Sequence, residues 1–560
     1  MKYRLVLAQD TIELKFIISK IKSSFFCLPL NLEILVYCEI NKIPYINPID
    51  FLNNSIHKNG LVESEKFIAG VKFNTSNIKV VNARHKNLIR NYFNSVFFIK
   101  NIIETINKKF KIKNIYVSGW KNNDIEIPIK NYILSDICNS LFKKKVKFVS
   151  EQKTNFEPEI YTYELDNHHV LSKKNVNEGT LFLNFGYNFK RILFYSLLKN
   201  KKINYICFDK INIFKKLIFR IIGIKYFIFT RKKITQKKII KKIKINTKYQ
   251  NKNICELLNN RSEFVDLILL DLNNRCKSVR KLIISLRPKV VFINLVRGVD
   301  GYLASLSREF AFNSVCIPHG TVSKSFNKFD KIYKKIITEN VFSGDSKYLA
   351  LQTKIAQDSI SSLNIKGKTI KTGNIIFSDV PQSKPDNKKF VLYAVTMKDF
   401  VNYQFYGVEM YYEFFKNLKI LETLAKSSKI RIVIKPHPSI SNLTQDLKKI
   451  FPSLAFSNEK IDELLKKTIV TISFSSTVIE DSICSKIPVI LFDQWKRYKH
   501  CKSCLDVNKK NQMIYYINNY KDITKVIQTI KNSDKFNLSN FLFSKQDIKT
   551  NIKQLKKKFF

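Results

Sequence analysis

The sequence predicts an α/β protein made of doubly wound parallel sheets. Short apolar runs rich in Ile and Val alternate with helical patterns along the 560 residues, which is the rhythm of βαβ units. The rhythm is clearest from Lys429 to Phe492, where KIRIVIKPHPSISN is followed, from Thr468, by TIVTISFSSTVIEDSICSKIPVILF. Each of these runs ends in a polar elbow, and in doubly wound sheets such elbows lie at the carboxyl ends of strands, where ligands bind.

Composition bounds the reading. The length is enough for two or three domains with real cores. A hydrophobic content of 45 % excludes a disordered chain. The excess of 98 basic over 45 acidic residues gives +53, a field that favours nucleic acid, anionic lipid or phosphorylated donors. Lys, Asn and Ile are abundant throughout, which also fits an AT-rich codon bias. No nucleic-acid-binding signature accompanies the charge. Ten cysteines without framework spacing read as reduced and cytoplasmic. His500-Cys501-x-x-Cys504 has ligand-like spacing, but no second pair follows it, so no metal site is expected. The start, MKYRLVLAQD, is too short and polar for a secretory leader. No apolar run reaches the roughly 20 residues of a membrane span.

In chain order, residues 3–8 read as a buried strand, with Asp10 or Thr11 capping the helix that follows. Ile34–Cys38 reads as a second strand, 84–110 as a basic helix, 114–119 as a strand ending in a glycine turn, 126–143 as a helix and 146–150 as a strand. Residues 1–150 therefore form one α/β unit. Residues 151–250 are expected to be a linker and a basic helical insertion, with isoleucines at 234, 239, 240, 243 and 245 on one face of an amphipathic helix. The stretch 231–248 is the expected contact with an anionic membrane. Residues 251–380 complete the first Rossmann-like half: a strand at 265–272, a helix at 276–286, a strand at 289–295, a helix near 302–312 and a strand at 314–317. After a break at 381–388, residues 381–535 form the second half, with a strand at 390–396 and a helix at 409–427. Beyond Asp493 the pattern is mostly helical, and 536–560 is a helical tail.

Three elbows carry candidate chemistry. Lys435, His437 and Pro438 follow one buried strand, with the imidazole held between two prolines. Ser475, Ser476 and Thr477 follow the next, and Thr477 with Glu480 fits a capping box. A helix beginning there turns free N–H groups and two hydroxyls toward the strand tip, which suits a phosphate, although an ordinary capped helix has the same pattern. The third elbow is Pro318-His319-Gly320-Thr321, preceded by Arg297-Gly298-Val299-Asp300-Gly301 one strand earlier.

KPHP followed by SFSSTVIED resembles the HP and SS motifs of bacterial GT-B glycosyltransferases that build surface polysaccharides. These are capsule sialyl-, polysialyl- and Kdo transferases and the related teichoic-acid glycerophosphotransferases. The match covers about residues 315–500. The resemblance implies a GT-B fold and a transferase that takes a nucleotide-sugar donor, commonly CMP-linked, for capsule or lipopolysaccharide synthesis. The acceptor would be a glycan or lipid-linked glycan. It implies that Lys435, His437, Pro438, Ser475, Ser476, Thr477 and Glu480 bind the donor nucleotide without a metal or other cofactor. It implies that His319, in a His-Gly-Thr like that of teichoic-acid polymerases, or Asp300, in a loose match to an acidic element of sialyltransferases, serves the acceptor as base. Inversion at the anomeric carbon would follow. The expected location is the cytoplasm, peripheral to the inner membrane face. The alternatives are a CDP-polyol phosphotransferase, a non-catalytic nucleotide-binding scaffold of polysaccharide assembly, and a basic nucleic-acid-binding protein.

Overall fold

In the structure, a computed structural model, the described residues are 3–50, 54–71, 76–119, 134–149, 160–165, 180–183, 203–208, 211, 213–221, 223–234, 251–318, 320–321, 325–341, 344–360, 365–381, 389–397, 409–428 and 430–559. They form α/β units around three sheets.

The first sheet contains β1 (Tyr3–Val6), β2 (Phe26–Cys27), β3 (Ile112–Val117) and β4 (Val146–Phe148), all parallel, in the order β2-β1-β3-β4. Helices α1 (Thr11–Lys20), α2 (Leu32–Ile40), α3 (Asn54–Ala69), α4 (Lys79–Phe110) and α5 (Leu134–Phe142) accompany it. Asp10 caps α1 by accepting from the Glu13 amide at 2.7 Å, as expected. The strand expected at Ile34–Cys38 is instead the middle of α2. Asn31 accepts from the Ile34 amide at 2.9 Å and starts a helix there, and a short run that is apolar on every side has no period to separate strand from helix.

The second sheet has eight strands: β5 (Ile160–Leu165), β6 (Thr180–Leu183), β7 (Ile203–Cys207), β8 (Ile224–Ile234), β9 (Val290–Ile293), β10 (Asn313–Cys316), β11 (Tyr348–Leu351) and β12 (Lys368–Lys371). Its order is β12-β11-β10-β9-β6-β7-β8-β5, parallel except for β5, which runs antiparallel along the β8 edge. Helices α6 (Ile213–Ile221), α7 (Lys252–Leu286), α8 (Gly298–Glu309), α9 (Lys328–Val341) and α10 (Lys354–Ile360) belong to it. Counted from β6, the parallel strands follow the dinucleotide-fold order, so the switch point lies between β6 and β9.

Three expectations are corrected here. The linker at 151–180 contains the edge strand β5 and ends where β6 begins. The helical insertion is largely sheet: of residues 181–250 only α6 is a described helix, and Arg231–Ile234 end β8 rather than begin an amphipathic helix. The rest of that stretch, 235–250, lies outside the described residues, as does the break at 382–388. The strand expected at 265–272 is interior to the 35-residue α7, whose Asn251 cap accepts from the Ile254 amide. There Val265, Leu267, Leu269 and Leu272 are all buried in a helix that packs against α4, α5, α8 and β5, which accounts for a strand-like apolar run in a helix.

The third sheet contains β13 (Phe390–Ala394), β14 (Ile432–Lys435), β15 (Ala455–Phe456), β16 (Thr468–Ser473), β17 (Val489–Phe492) and β18 (Ile514–Ile517). All are parallel in the order β15-β14-β13-β16-β17-β18, the same doubly wound order with its switch point between β13 and β16. Its helices are α11 (Tyr411–Ser428), α12 (Thr444–Ile450), α13 (Ile461–Lys466), α14 (Val478–Cys484) and α15 (Asp522–Lys531). The region after Asp493 is therefore not only helical, since β18 completes the sheet. The tail forms α16 (Lys545–Phe559), which packs back on β12 of the second sheet.

The units are joined by polar contacts as well as by a shared core. The first unit touches the third through the Tyr411 hydroxyl, which donates to the Pro29 carbonyl at 2.6 Å, and through Lys419–Glu39 at 3.0 Å. It touches the second through α4 and α5 on α7. Helix α9 docks on the loop after β17. There Lys334 pairs with Asp330 at 3.0 Å and donates to the Lys499 carbonyl, and Tyr333 meets Tyr498 edge-on. In the same loop Arg497 is fully buried. Its Nη2 donates to Glu413 at 2.6 Å, its guanidinium lies over Phe474, and its own amide and that of Tyr498 donate to Asp493. Burial pushes the carboxyls of Glu413 and Asp493 up, and the arginine charge opposes it.

Removing one partner of a buried ion pair strands the other, so Arg497→Met should cost about 3–5 kcal/mol. In calorimetry that corresponds to a fall in Tm of about 3–4 °C for a chain of 560 residues. An unchanged Tm would show that the pair contributes nothing. Glu13 gives a second prediction. It is buried at the carboxyl end of the first sheet, accepting from Ser118 and from the Gln9 amide, and burial raises its pKa from 4.5 to about 7. Between those values the unfolded chain has lost a proton that the folded chain keeps, so stability falls as pH rises from about 4.5 to about 7. Glu13→Gln should remove that slope, and its Tm relative to the parent should be higher at pH 8 than at pH 4.

Candidate functional site

The parallel register puts two elbows side by side. Ala394 at the end of β13 pairs with Lys435 on one side and with Ser473 on the other. The ends of β14, β13 and β16 thus form one row across the switch point. Strands lie about 4.8 Å apart, so Lys435 and Ser473 stand about 10 Å apart on either side of β13.

Lys435 is half-buried, and burial lowers its pKa while Glu459 opposes the shift. Beyond buried Pro436, His437 caps a 3-10 turn at Pro438–Leu443. Its Nδ1 accepts from the Ser439 amide at 3.2 Å and contacts the Ser439 hydroxyl at 2.9 Å. An accepting Nδ1 places the proton of a neutral imidazole on Nε2, which makes Nε2–H a donor for an anionic ligand.

In the second elbow, the buried Ser473 donates to the Ala394 carbonyl at 2.9 Å and accepts from the Ser476 amide at 3.4 Å. Ser475 and Ser476 are half-buried and Thr477 is exposed. The expected capping box does not close. Thr477 takes helical angles and makes no side-chain cap bond, and the Ser476 hydroxyl accepts from the Val478 amide at 3.3 Å instead. Helix α14 is only seven residues long, so the hydroxyls, the elbow amides and the two basic side chains outweigh its dipole.

Glu480 is turned away from the cap. It is fully buried and accepts from the Thr321 hydroxyl and from His500 Nε2 at 3.1 Å. Thr321 belongs to the third elbow, at the end of β10 in the second sheet. A Cβ on Gly320 would sit 3.5 Å from the Thr477 methyl. The His-Gly-Thr loop of one half therefore abuts the serine elbow of the other. His319 itself lies outside the described residues. The carbonyl of Pro318 before it accepts from Gln352 Nε2 at 2.8 Å, while Gln352 Oε1 accepts from the amides of Ile375 and Ile376 in the segment leading to the third sheet.

Asp300 is fully buried in the first turn of α8, where Oδ2 accepts from the amides of Asn294 at 2.9 Å and Leu295 at 3.2 Å. The turn around it is tight. Gly298 has φ +59°, and a Cβ on Gly301 would fall 2.3 Å from the Val296 carbonyl oxygen. The Arg-Gly-Val-Asp-Gly pattern is thus explained by strand-to-helix geometry, and the Asp300 carboxylate is engaged in holding it.

The structure brings together Lys435, His437, Pro438, Ser475, Ser476 and Thr477 at one sheet edge, with Glu480 behind them against the opposing loop. Sequence reasoning placed Thr321 in the third elbow without a role, weighed His500 only as a metal ligand, and missed Gln352. The proximity of Thr321 to the glycine turn was the available signal for the first, and the other two act through partners distant in sequence. Among the described residues no group of His, Cys, Asp and Glu is arranged to hold a metal ion.

No protein-family model matches the chain, and no curated protein matches it. Among solved structures it is loosely similar to UDP-GlcNAc 2-epimerase from Methanocaldococcus jannaschii, at 12 % identity and TM-score 0.39 over 68 % of this chain and 99 % of that one. The UDP-GlcNAc 2-epimerase from Neisseria meningitidis, bound to UDP-GlcNAc, gives 12 % and 0.38 over 68 % and 98 %. The wall teichoic acid polymerase TagF gives 11 % and 0.31 over 69 % and 83 %.

Proposed function

We propose that this chain is a GT-B glycosyltransferase of bacterial surface polysaccharide synthesis, using a nucleotide-activated sugar, CMP-linked in the first instance. The observation that carries the reading is the meeting of three elbows at one place. Lys435–Pro438 and Ser473–Thr477 flank the switch point of the third sheet, and the Pro318–Thr321 loop reaches across to Thr477 and Glu480. On this reading the donor diphosphate or phosphate lies between these elbows. The hydroxyls of Ser475 and Ser476, Lys435 and His437 Nε2–H surround the charge that grows on the departing nucleotide. Fixed donors aimed at developing charge are the largest single source of such catalysis.

The acceptor hydroxyl approaches from the second sheet, where His319 takes its proton or positions it. Asp300 is the poorer base, because its carboxylate is buried and occupied by two backbone amides. Transfer of a polyol phosphate from a CDP-polyol is the second reading, supported by the contact of the His-Gly-Thr loop with the serine elbow. Nucleotide-activated donors are cytoplasmic, so on either reading the chain works on the inner side of the membrane.

Two experiments test this. A thermal-shift panel of CMP, CDP, UDP, GDP, CMP-sugars and CDP-glycerol should show a rise in Tm for the cognate nucleotide. A ligand at one hundred times its Kd adds about 2.7 kcal/mol to a folded protein. The pair Ser475→Ala with Ser476→Ala should abolish that rise and leave the unliganded Tm within a few degrees. An unaltered response to every nucleotide would remove the elbow from the site. In turnover, His319→Ala should lose roughly two to four powers of ten with donor affinity retained. Loss in Asp300→Asn, with the protein still folded and His319→Ala active, would reverse the two roles.

A further inference from the structure

Helix α6 turns its apolar side to solvent. Ile213, Phe214, Leu217 and Ile221 are 86, 71, 53 and 75 % exposed. At 3.6 residues per turn they share an arc of about 100°. Phe219, on another side of the helix, is fully buried and packs at 6.2 Å against Tyr226 of β8, so the helix is anchored with this stripe outward. Among the described residues, the remaining exposed large apolar side chains, from Ile12 to Tyr520, include no two on one helix or strand. The stripe is therefore a patch and not the ordinary scatter of apolar surface.

Its surroundings are cationic. From Ile213 to Lys233 the sequence has Lys215, Lys216, Arg220, Lys225, Arg231, Lys232 and Lys233, and no Asp or Glu. Arg220 borders the stripe and is exposed, as are Lys225 and Arg231–Lys233 of β8. The contacts they make leave charge at the surface. Lys232 meets Glu164 at 2.6 Å with both side chains more than half exposed, and Arg231 lies over the Tyr161 ring.

We propose that α6, with the adjoining strand β8, docks this chain onto an anionic lipid surface. Ile213, Phe214, Leu217 and Ile221 enter the boundary between headgroups and acyl chains, and Arg220, Lys225 and the β8 cations meet the lipid phosphates. Three arguments select this occupant. A nine-residue helix is too short to span a bilayer but suits one that lies in the interface. Nucleic acid would satisfy the cations but offers nothing to three branched aliphatic side chains. A second copy of the chain would cover the apolar stripe but, across a twofold axis, would set the same cations against one another. The docking element is thus α6 with the β8 cations, of which Arg231–Lys233 belong to the stretch 231–248 expected from the sequence; the rest of that stretch, 235–248, lies outside the described residues. The inference does not depend on which donor the cleft binds.

The test is co-sedimentation of the full chain with vesicles of phosphatidylcholine alone or containing about one-third phosphatidylglycerol. The chain should pellet with the anionic vesicles only, and less so at 1 M salt, where screening shortens to about 3 Å. Phe214→Ser with Leu217→Ser should weaken partition at least about tenfold, since each buried methylene contributes about fourfold. Arg220→Gln with Lys225→Gln should weaken it about fivefold per charge removed. All four side chains are exposed or border solvent, so thermal unfolding of the variants should match the parent, which separates lost docking from lost fold. Equal binding to neutral vesicles, no binding to either, or parent-like binding by the apolar double variant overturns the proposal. So does light scattering that shows a dimer converted to a monomer by Phe214→Ser with Leu217→Ser while vesicle binding is unchanged.

Discussion

The site depends on how β13 and β16 are tied at their carboxyl ends. At a switch point the two crossovers leave for opposite faces of the sheet, and the strand ends part. The Ser473 hydroxyl bridges the gap by donating to the Ala394 carbonyl, and it accepts the Ser476 amide from the other side. The side chain thus ties the end of β13 to the start of the elbow that carries Ser475 and Ser476. Lys435 stands in the same row one strand further, so the basic and hydroxyl groups are set by sheet register and not by loop conformation. Ser473 itself is consumed in this, which distinguishes it from its two neighbours.

The opposing wall is organised by polar contacts that cross between units. Gln352 uses both ends of its amide, one on Pro318 below the His-Gly-Thr loop and the other on the segment leading into the third sheet. Helix α9, which follows that loop, inserts Lys334 and Tyr333 against residues 498 and 499. The buried Arg497, Glu413 and Asp493 give this loop a fixed shape on which α9 can rest. Ion pairs of this kind stabilise little against an apolar replacement, but they tolerate no partial loss and no alternative packing.

Much of this was legible in the sequence where local pattern and tertiary role coincide. Apolar runs followed by Lys-Pro-His-Pro or by three hydroxyl residues marked two strand ends correctly, because a buried parallel strand reads as a continuous apolar run. The same property misled at Ile34–Cys38 and at 265–272, where helices covered on several sides carry no usable period. The Thr477–Glu480 spacing fitted a capping box, but a carboxylate that can reach a threonine 159 positions away and a histidine 20 positions away is decided by tertiary packing, which spacing does not encode. The apolar stripe of α6 was hidden for a related reason. In IFKKLIFRI nothing local separates the residue that packs inward, Phe219, from those that face solvent.

The contact between Thr321 and Glu480 has a consequence for how any ligand is weighed by this protein. It joins the two halves across the place where a nucleotide would enter, and it occupies a carboxylate that has no other role in the cap. A ligand that needs the halves apart binds only the fraction of molecules in which this bond is broken. Its measured Kd is then the intrinsic one divided by that fraction. On the proposed reading, a nucleotide that needs the halves apart therefore meets an entry threshold in the Thr321–Glu480 contact.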